Sequence, residues 1–259
     1  MQALSFEALQ AAAPFGALDL SDSGMRNAAR SRVPLGVVVH TPGRPFMVHA
    51  LDAARKGLGR APTAKELDSL AARRFDAAKY QPGYCIGQTG SIYRLDLDTR
   101  RTWHAGKLGG DDHAEVYSGR TWAKWASPSD GSGWCLHGRD PTVVYDYWFA
   151  AFPGFDSPVQ VFPWGASPND AIGIDLFPHP ETGMTTPAQA SAFVALVRAL
   201  AGVHGFPLDN RHVTTHTLCS PVERGTVRRG GTIVGAPWDL DPRHWPHDAV
   251  LARLASGAP

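Results

Sequence analysis

Val33-Pro34-Leu35-Gly36-Val37-Val38-Val39-His40-Thr41-Pro42-Gly43 is the stretch from which the chain can be read. Leu35 and Val37 to Val39 put four apolar, β-favouring side chains within five positions, the mark of a buried strand. The run stops at a histidine followed by a Pro-Gly turn. A side chain at the mouth of a strand is rigidly held yet can face solvent, which suits a metal ligand. It equally suits a histidine that merely ends a core strand, and this stretch alone leaves both readings open.

At 259 residues the chain can bury a full core, as one large domain or one domain with elaborations. Twenty-five lysines and arginines against 24 acidic residues leave no basic footprint for nucleic acid or an anionic membrane. Cys85, Cys135 and Cys219 are widely spaced and odd in number, and they read as reduced thiols rather than a disulfide framework. The first 24 residues lack a basic n-region and carry Glu7 and Asp19, so they make a poor signal peptide. No window approaches the roughly 18 apolar residues that span a bilayer. The expected location is therefore the cytoplasm, or outside it by a non-classical export route. Eight tryptophans among 27 glycines and 21 prolines suggest a loop-rich protein with aromatic surfaces around a concave site.

Outward from the strand, residues 3–14 can form a short helix, and the rest of 1–32 reads as a polar lead-in. After His40 comes a helical region, then Thr63-Ala-Lys-Glu66, a capping box opening a helix to about Arg74. Leu67, Leu70, Ala71 and Phe75 are expected on its packed face. Residues 84–95 read as a hairpin turning at Gly87-Gln-Thr-Gly90. Residues 107–168 show little periodicity beyond a stretch at 142–151 that reads as a strand or a helix, and form a long insertion walling a site. Ala171-Ile-Gly-Ile-Asp-Leu-Phe177 is a second buried strand. Pro187 at the first turn and Gly205 at the end bound a helix whose packed side carries Phe193, Leu196, Val197 and Leu200. Residues 211–216 are a short strand reaching a second histidine, 217–236 a loop, and a terminal helix lies around 248–254. Strands that alternate with helices and end in polar residues imply an α/β sheet with a site at one edge.

Four strand-end features carry candidate chemistry: His40, Asp175, His216 and the Asp239/Asp241 pair. Two histidines and a carboxylate form a common catalytic zinc set, with the fourth position open to water or substrate. Eleven histidines are scattered through the chain, so spacing alone does not choose among them.

The order of landmarks resembles the zinc-dependent N-acetylmuramoyl-L-alanine amidases of the amidase-2 type, the family of phage T7 lysozyme, AmpD and the peptidoglycan recognition proteins. The landmarks are VVVH40, then Ile86-Gly-Gln-Thr-Gly90-Ser-Ile92-Tyr93, then Trp103-His-Ala-Gly106. Asn169-Asp-Ala-Ile172-Gly-Ile-Asp175, Val213-Thr-Thr-His216 and Asp239-Leu-Asp-Pro242-Arg-His-Trp245 follow. The likeness covers roughly residues 33–255, omitting most of 107–165. It implies a single mixed central sheet flanked by helices, in one domain over 33–259 with the insertion at about 107–168.

By position, the resemblance makes His40, His216 and Asp239 the zinc ligands, with Asp241 an alternative to Asp239. Asp175 stands where the family usually has Glu and would handle the proton of the attacking water; its reach is about one methylene shorter. His104 would sit beside the metal cleft. Trp103, Asn169 and Tyr84 are candidate substrate contacts, Trp103 being equally suited to pack beneath His104. Where many members carry an oxyanion-stabilising lysine this chain has Pro237, which leaves zinc, helped by Arg228, Arg229 or Arg243, to take that role. Thr41 replaces a second histidine. The implied reaction is zinc-dependent hydrolysis of the bond between N-acetylmuramic acid and L-alanine, in peptidoglycan or soluble muropeptides. A non-catalytic muropeptide-binding module, and an amidase component of a phage tail or secretion apparatus, are the alternatives.

Overall fold

A computed structural model describes residues 2–21, 28–31, 33–77, 82–101, 171–209, 212–215 and 245–257, and the backbone of strands at 121–127, 131–137, 145–150, 226–229 and 232–233. The elements in order are α1 (Phe6–Ala12), β1 (Ala17–Asp19), β2 (Gly36–His40), α2 (Gly43–Leu58), α3 (Ala64–Asp76), β3 (Tyr84–Ile86) and β4 (Ile92–Arg94). There follow β5 (Thr121–Ser127), β6 (Gly131–His137), β7 (Tyr145–Ala150), β8 (Ala171–Leu176), α4 (Pro187–His204), β9 (Val213–Thr215), β10 (Thr226–Arg229), β11 (Thr232–Ile233) and α5 (His247–Ser256).

Six strands form the central sheet, in the order β1-β4-β3-β8-β2-β9. The β3–β4 hairpin is antiparallel, whereas β3, β8, β2 and β9 run parallel to one another. The sheet is thus mixed and α/β, as the alternation of apolar runs and helical periods implies. All five residues of β2 and all six of β8 are buried, which is why they read as continuous apolar runs rather than alternating ones.

Period 2 divides the central strands between two cores. Val37, Val39, Ile172, Ile174, Ile86 and Val213 face one side, where Phe193, Leu196, Val197 and Leu200 of α4 meet Trp245 and Val250 near α5. Cys85, Tyr93 and Phe177 face the other, against Met47, Ala50 and Ala54 of α2 and Leu67, Ala71 and Ala72 of α3. Leu4 and Leu9 join the first core, so the N-terminal segment packs on the domain, and β1 extends its sheet.

Local signals placed the helices well. Both capping boxes form, Thr63 with Glu66 and Thr186 with Gln189, and Gly205 ends α4 in the left-handed conformation. On α3, Leu67 and Ala71 are buried and Phe75 packs on the same core, as expected, with Asp68, Ala72 and Asp76 completing the buried stripe; Leu70 is instead 41 % exposed. Gly36 is required where β2 meets β9: Val37 N–H donates to the His212 carbonyl at 2.8 Å, and a Cβ on Gly36 would lie 2.2 Å from that oxygen.

A second sheet, of order β11-β10-β7-β6-β5, joins strands of the 107–168 region to two from 217–236. The strand at Tyr145–Ala150 falls in the stretch at 142–151 expected as a strand or a helix. The other four lie where the sequence reads as loops: alanine or glycine interrupts the alternation in β5 and β6, and β10 and β11 are too short to show one. Among the described residues no helix is long and apolar enough to cross a membrane.

Candidate functional site

The parallel ladder between β2 and β8 sets His40 directly beside Asp175. The ladder between β3 and β8 sets Cys85 on the other side of Asp175. Residues paired across a ladder share a face, and neighbouring strands lie about 4.8 Å apart, so Cys85, Asp175 and His40 form one row across three strands. His40 is 3 % exposed, Asp175 4 % and Cys85 0 %. In open α/β sheets this edge, outside the carboxyl ends of parallel strands, is where ligands bind.

The chemistry of the row follows from its burial. Cys85 holds its proton: burial, then the nearby carboxylates of Asp175 and Asp76, push its thiol well above the usual range. Cys85 is therefore a neutral wall beside Asp175. Asp76 is itself buried at the end of α3. Sequence reasoning read Cys85 only as a reduced thiol and passed over Asp76; the signal for Asp76 is an acid at the negative end of a helix, against the usual preference.

The turn that follows β3 at this edge is held from both sides. The wholly buried Asp68 carboxylate of α3 accepts from Gln88 N–H and Thr89 N–H, both at 2.9 Å, and from the Thr89 hydroxyl at 2.7 Å. From α4, the Thr186 hydroxyl donates to the Gln88 carbonyl at 2.8 Å, and Gln189 Nε2 to the Ile86 carbonyl at 3.0 Å. Gly87 must stay glycine, because a Cβ there would meet the Asp68 carboxylate at 2.4 Å. Burial raises the Asp68 carboxyl above its usual range while the three donors pull it back. The sequence signal for this clamp is an aspartate inside an apolar helix stripe.

Tyr84 differs from its expected role. It pairs with Ile174, on the face opposite Asp175, and is 0 % exposed within the α4-side core. Its position is one for packing, not for substrate contact. Trp103, His104, Asn169, His216, Asp239 and Asp241 lie outside the described residues, as do Pro237 and Arg243. Arg228 and Arg229 lie on β10 of the second sheet. Among the described residues no group of three or more His, Cys, Asp or Glu could hold a metal ion.

No family model and no curated protein sequence matches the chain. Among solved structures it is similar to a selenomethionine AmpD derivative, at 16 % identity over 83 % of this chain and 89 % of that one, with a TM-score of 0.40. It is also similar to two proteins from Clostridium intestinale URNW. These are the endolysin N-acetylmuramoyl-L-alanine amidase LysCS (13 % identity, 92 % and 95 % coverage, TM-score 0.37) and the N-acetylmuramoyl-L-alanine amidase LysC (13 %, 92 % and 97 %, 0.33). Likenesses this distant assign neither an activity nor a residue to the chain.

Proposed function

We propose that the protein is a zinc-dependent amidase that cleaves the bond between N-acetylmuramic acid and L-alanine in peptidoglycan or muropeptides. One observation carries the reading. His40 and Asp175, singled out by sequence for a ligand and a proton-handling role, stand side by side at the carboxyl ends of adjacent parallel strands. The motif order quoted above supplies the substrate and reaction.

The donors fit the metal. Imidazole nitrogen and carboxylate oxygen are zinc's ordinary ligands in catalytic sites, and His40 is fixed on a buried strand. His216 follows Thr215 in sequence, and Thr215 is the β9 residue level with Val39, just as His40 follows Val39. His40, His216 and Asp239, or Asp241 in its place, would hold zinc. When bound, zinc supplies Lewis acidity at the scissile carbonyl.

The remaining steps belong to the chain. Asp175 takes the proton of the water that adds to the lactyl carbonyl carbon, then returns it to the L-alanine nitrogen as the C–N bond breaks. The buried strand pair limits the freedom of His40 and Asp175, so little reorganisation is needed during reaction. Cys85, neutral and buried, excludes water from the flank of Asp175.

Incubation with peptidoglycan, with free stem peptide measured by mass spectrometry, tests the proposal. Release by the zinc-loaded protein that His216→Ala abolishes is expected. Undiminished release by His216→Ala would overturn the ligand assignment. Substrate binding without release would indicate a non-catalytic module.

A further inference from the structure

α2 and α3 pack one side on the Cys85 face of the central sheet and leave an open groove between them on the other. Ala50, Ala53, Ala54 and Gly57 recur at the helical period along α2 and make its floor. Leu58 and Leu70 wall it, and each is 41 % exposed. Ala53 and Gly57 are exposed as well, so the groove, of about 460 Å³, opens to solvent.

Gly57 is a residue that the fold does not ask for. It lies within α2 and has no positive φ, unlike Gly59, whose φ of 66° favours glycine. A Cβ at Gly57 would meet nothing within 4 Å, so no neighbour in the chain needs the space either. Glycine inside a helix weakens it relative to alanine. A locally unfavourable residue with no compensating role in the folded chain marks a place of close approach from outside.

Charge indicates the kind of partner. Arg74 lines the groove, Arg73 adjoins it, and Lys56 lies one turn along α2 from Ala53. All three are exposed, and among the described residues none makes a salt bridge. The nearby acids are already engaged, Asp52 with Arg55 at 3.9 Å and Glu66 with Arg60 at 2.6 Å, while Asp68 and Asp76 are buried. The rim is therefore a block of uncompensated cations in a chain whose net charge is only +1.

We propose that the α2–α3 groove docks an acidic amphipathic helix of a partner protein. Its apolar side chains would lie against the alanine–glycine floor, with its carboxylates toward Lys56, Arg73 and Arg74. Small floor residues let a third helix approach to about 8 Å, and apolar anchors at the helical period match the floor. In a two-fold contact with a second copy of this chain, the same cations would face one another. An anionic bilayer would need an apolar face that penetrates it by about 5–10 Å, and a hollow between helices has little to insert. The chain's own N-terminal segment is placed elsewhere, with Leu4 and Leu9 in the α4-side core. The inference does not rest on the amidase reading, because the groove shares no residue with the row of His40, Asp175 and Cys85.

The probe is a synthetic peptide of about 16 residues, with leucine and alanine on one helical face and glutamate on the other. It is titrated against the full chain by fluorescence anisotropy. Saturable binding in the micromolar range is expected, weakened about tenfold by Lys56→Glu with Arg74→Glu. Gly57→Leu, which fills the floor, should weaken it by at least about tenfold. Gly57→Ala separates docking from folding: it should raise the thermal unfolding midpoint by about 2 °C and still weaken the peptide. The same peptide with lysine for glutamate should bind at least about tenfold more weakly. No saturable binding up to about 1 mM, equal binding of the two peptides, or binding untouched by the Gly57 variants would overturn the proposal. So would tighter binding to phosphatidylserine vesicles than to the peptide, or a sedimenting dimer that Gly57→Leu dissolves. Circular dichroism reads folding of every variant; should Gly57→Leu unfold the chain, Gly57→Ala and the charge pair decide. Stem-peptide release is expected to be unchanged in all of them, so either reading can fail without the other.

Discussion

Two buried histidine–aspartate juxtapositions sit at opposite edges of the central sheet, and their surroundings differ in kind. At the carboxyl edge, His40 and Asp175 are neighbours because two parallel strands pair in register. At the other edge, Asp98 bonds His204 Nε2 at the end of α4 and accepts Leu4 N–H at 3.1 Å, tying together three distant parts of the chain. Arg30 Nε donates to the Asp98 carbonyl at 2.8 Å, and Arg94 joins the Leu4 carbonyl to the Asp19 carboxylate. The second pair is a staple that holds the N-terminal segment. The first lies where strands end and ligands bind. Residue types alone would not tell them apart; what each pair is attached to does.

The largest effects should separate the two edges. Asp175→Asn keeps the size of the side chain and removes the base, so stem-peptide release should fall by about 10²–10⁴-fold with the urea midpoint unchanged. A variant that loses stability instead would make Asp175 a second staple. Asp98→Ala should do the reverse. Leaving His204 Nε2 and Leu4 N–H without their buried carboxylate should cost about 3–5 kcal/mol in urea unfolding. Activity per folded molecule should be unaltered.

A third buried histidine calibrates the comparison, because burial alone pushes His247 down to about 4 from the ordinary 6.5. Its folded value lies below its unfolded one, so as pH falls from 6.5 towards 4 the unfolded chain takes up the proton first. Stability should therefore fall by about 3 kcal/mol across that window, and His247 should contribute no slope above it. Subtracting the urea-unfolding profile of His247→Gln from that of the unmutated protein isolates this slope; a flat difference would show that burial does not depress His247 and that it titrates alike folded and unfolded. The smallest change should come from Thr63→Ala, which opens the capping box of α3 away from both edges. About 1 kcal/mol of stability and no activity should be lost, as read by thermal unfolding and peptide release.

The contrast between the edges also explains what could be read in advance. Caps, turns and periodicity are local, so α3, α4, the β3–β4 hairpin and the strands bearing His40 and Asp175 were legible. Asp98, His204 and Leu4 meet across |i−j| of 94 and 106 residues, and no local pattern announces such a staple. β1 escaped notice because three residues at a sheet edge carry almost no periodic signal. Tyr84 was given a binding role from its place in the hairpin, but period 2 turns it to the face away from Asp175. In the second sheet, alanine and glycine break the alternation of β5 and β6, and the pairing of β7 with residues 226–229 depends on contacts far along the chain. His40 beside Asp175 was likewise non-local; it became legible only through the ordered set of motifs.

The most direct measurement is X-ray diffraction from zinc-soaked crystals, recorded on both sides of the zinc absorption edge. An anomalous peak at the carboxyl ends of β2 and β9, within bonding distance of His40, His216 and one aspartate of the Asp239/Asp241 pair, is the expected result, with Asp175 nearby but not a ligand. A peak at another place, or no peak at His40 in fully reconstituted protein that still releases stem peptide, would contradict the account.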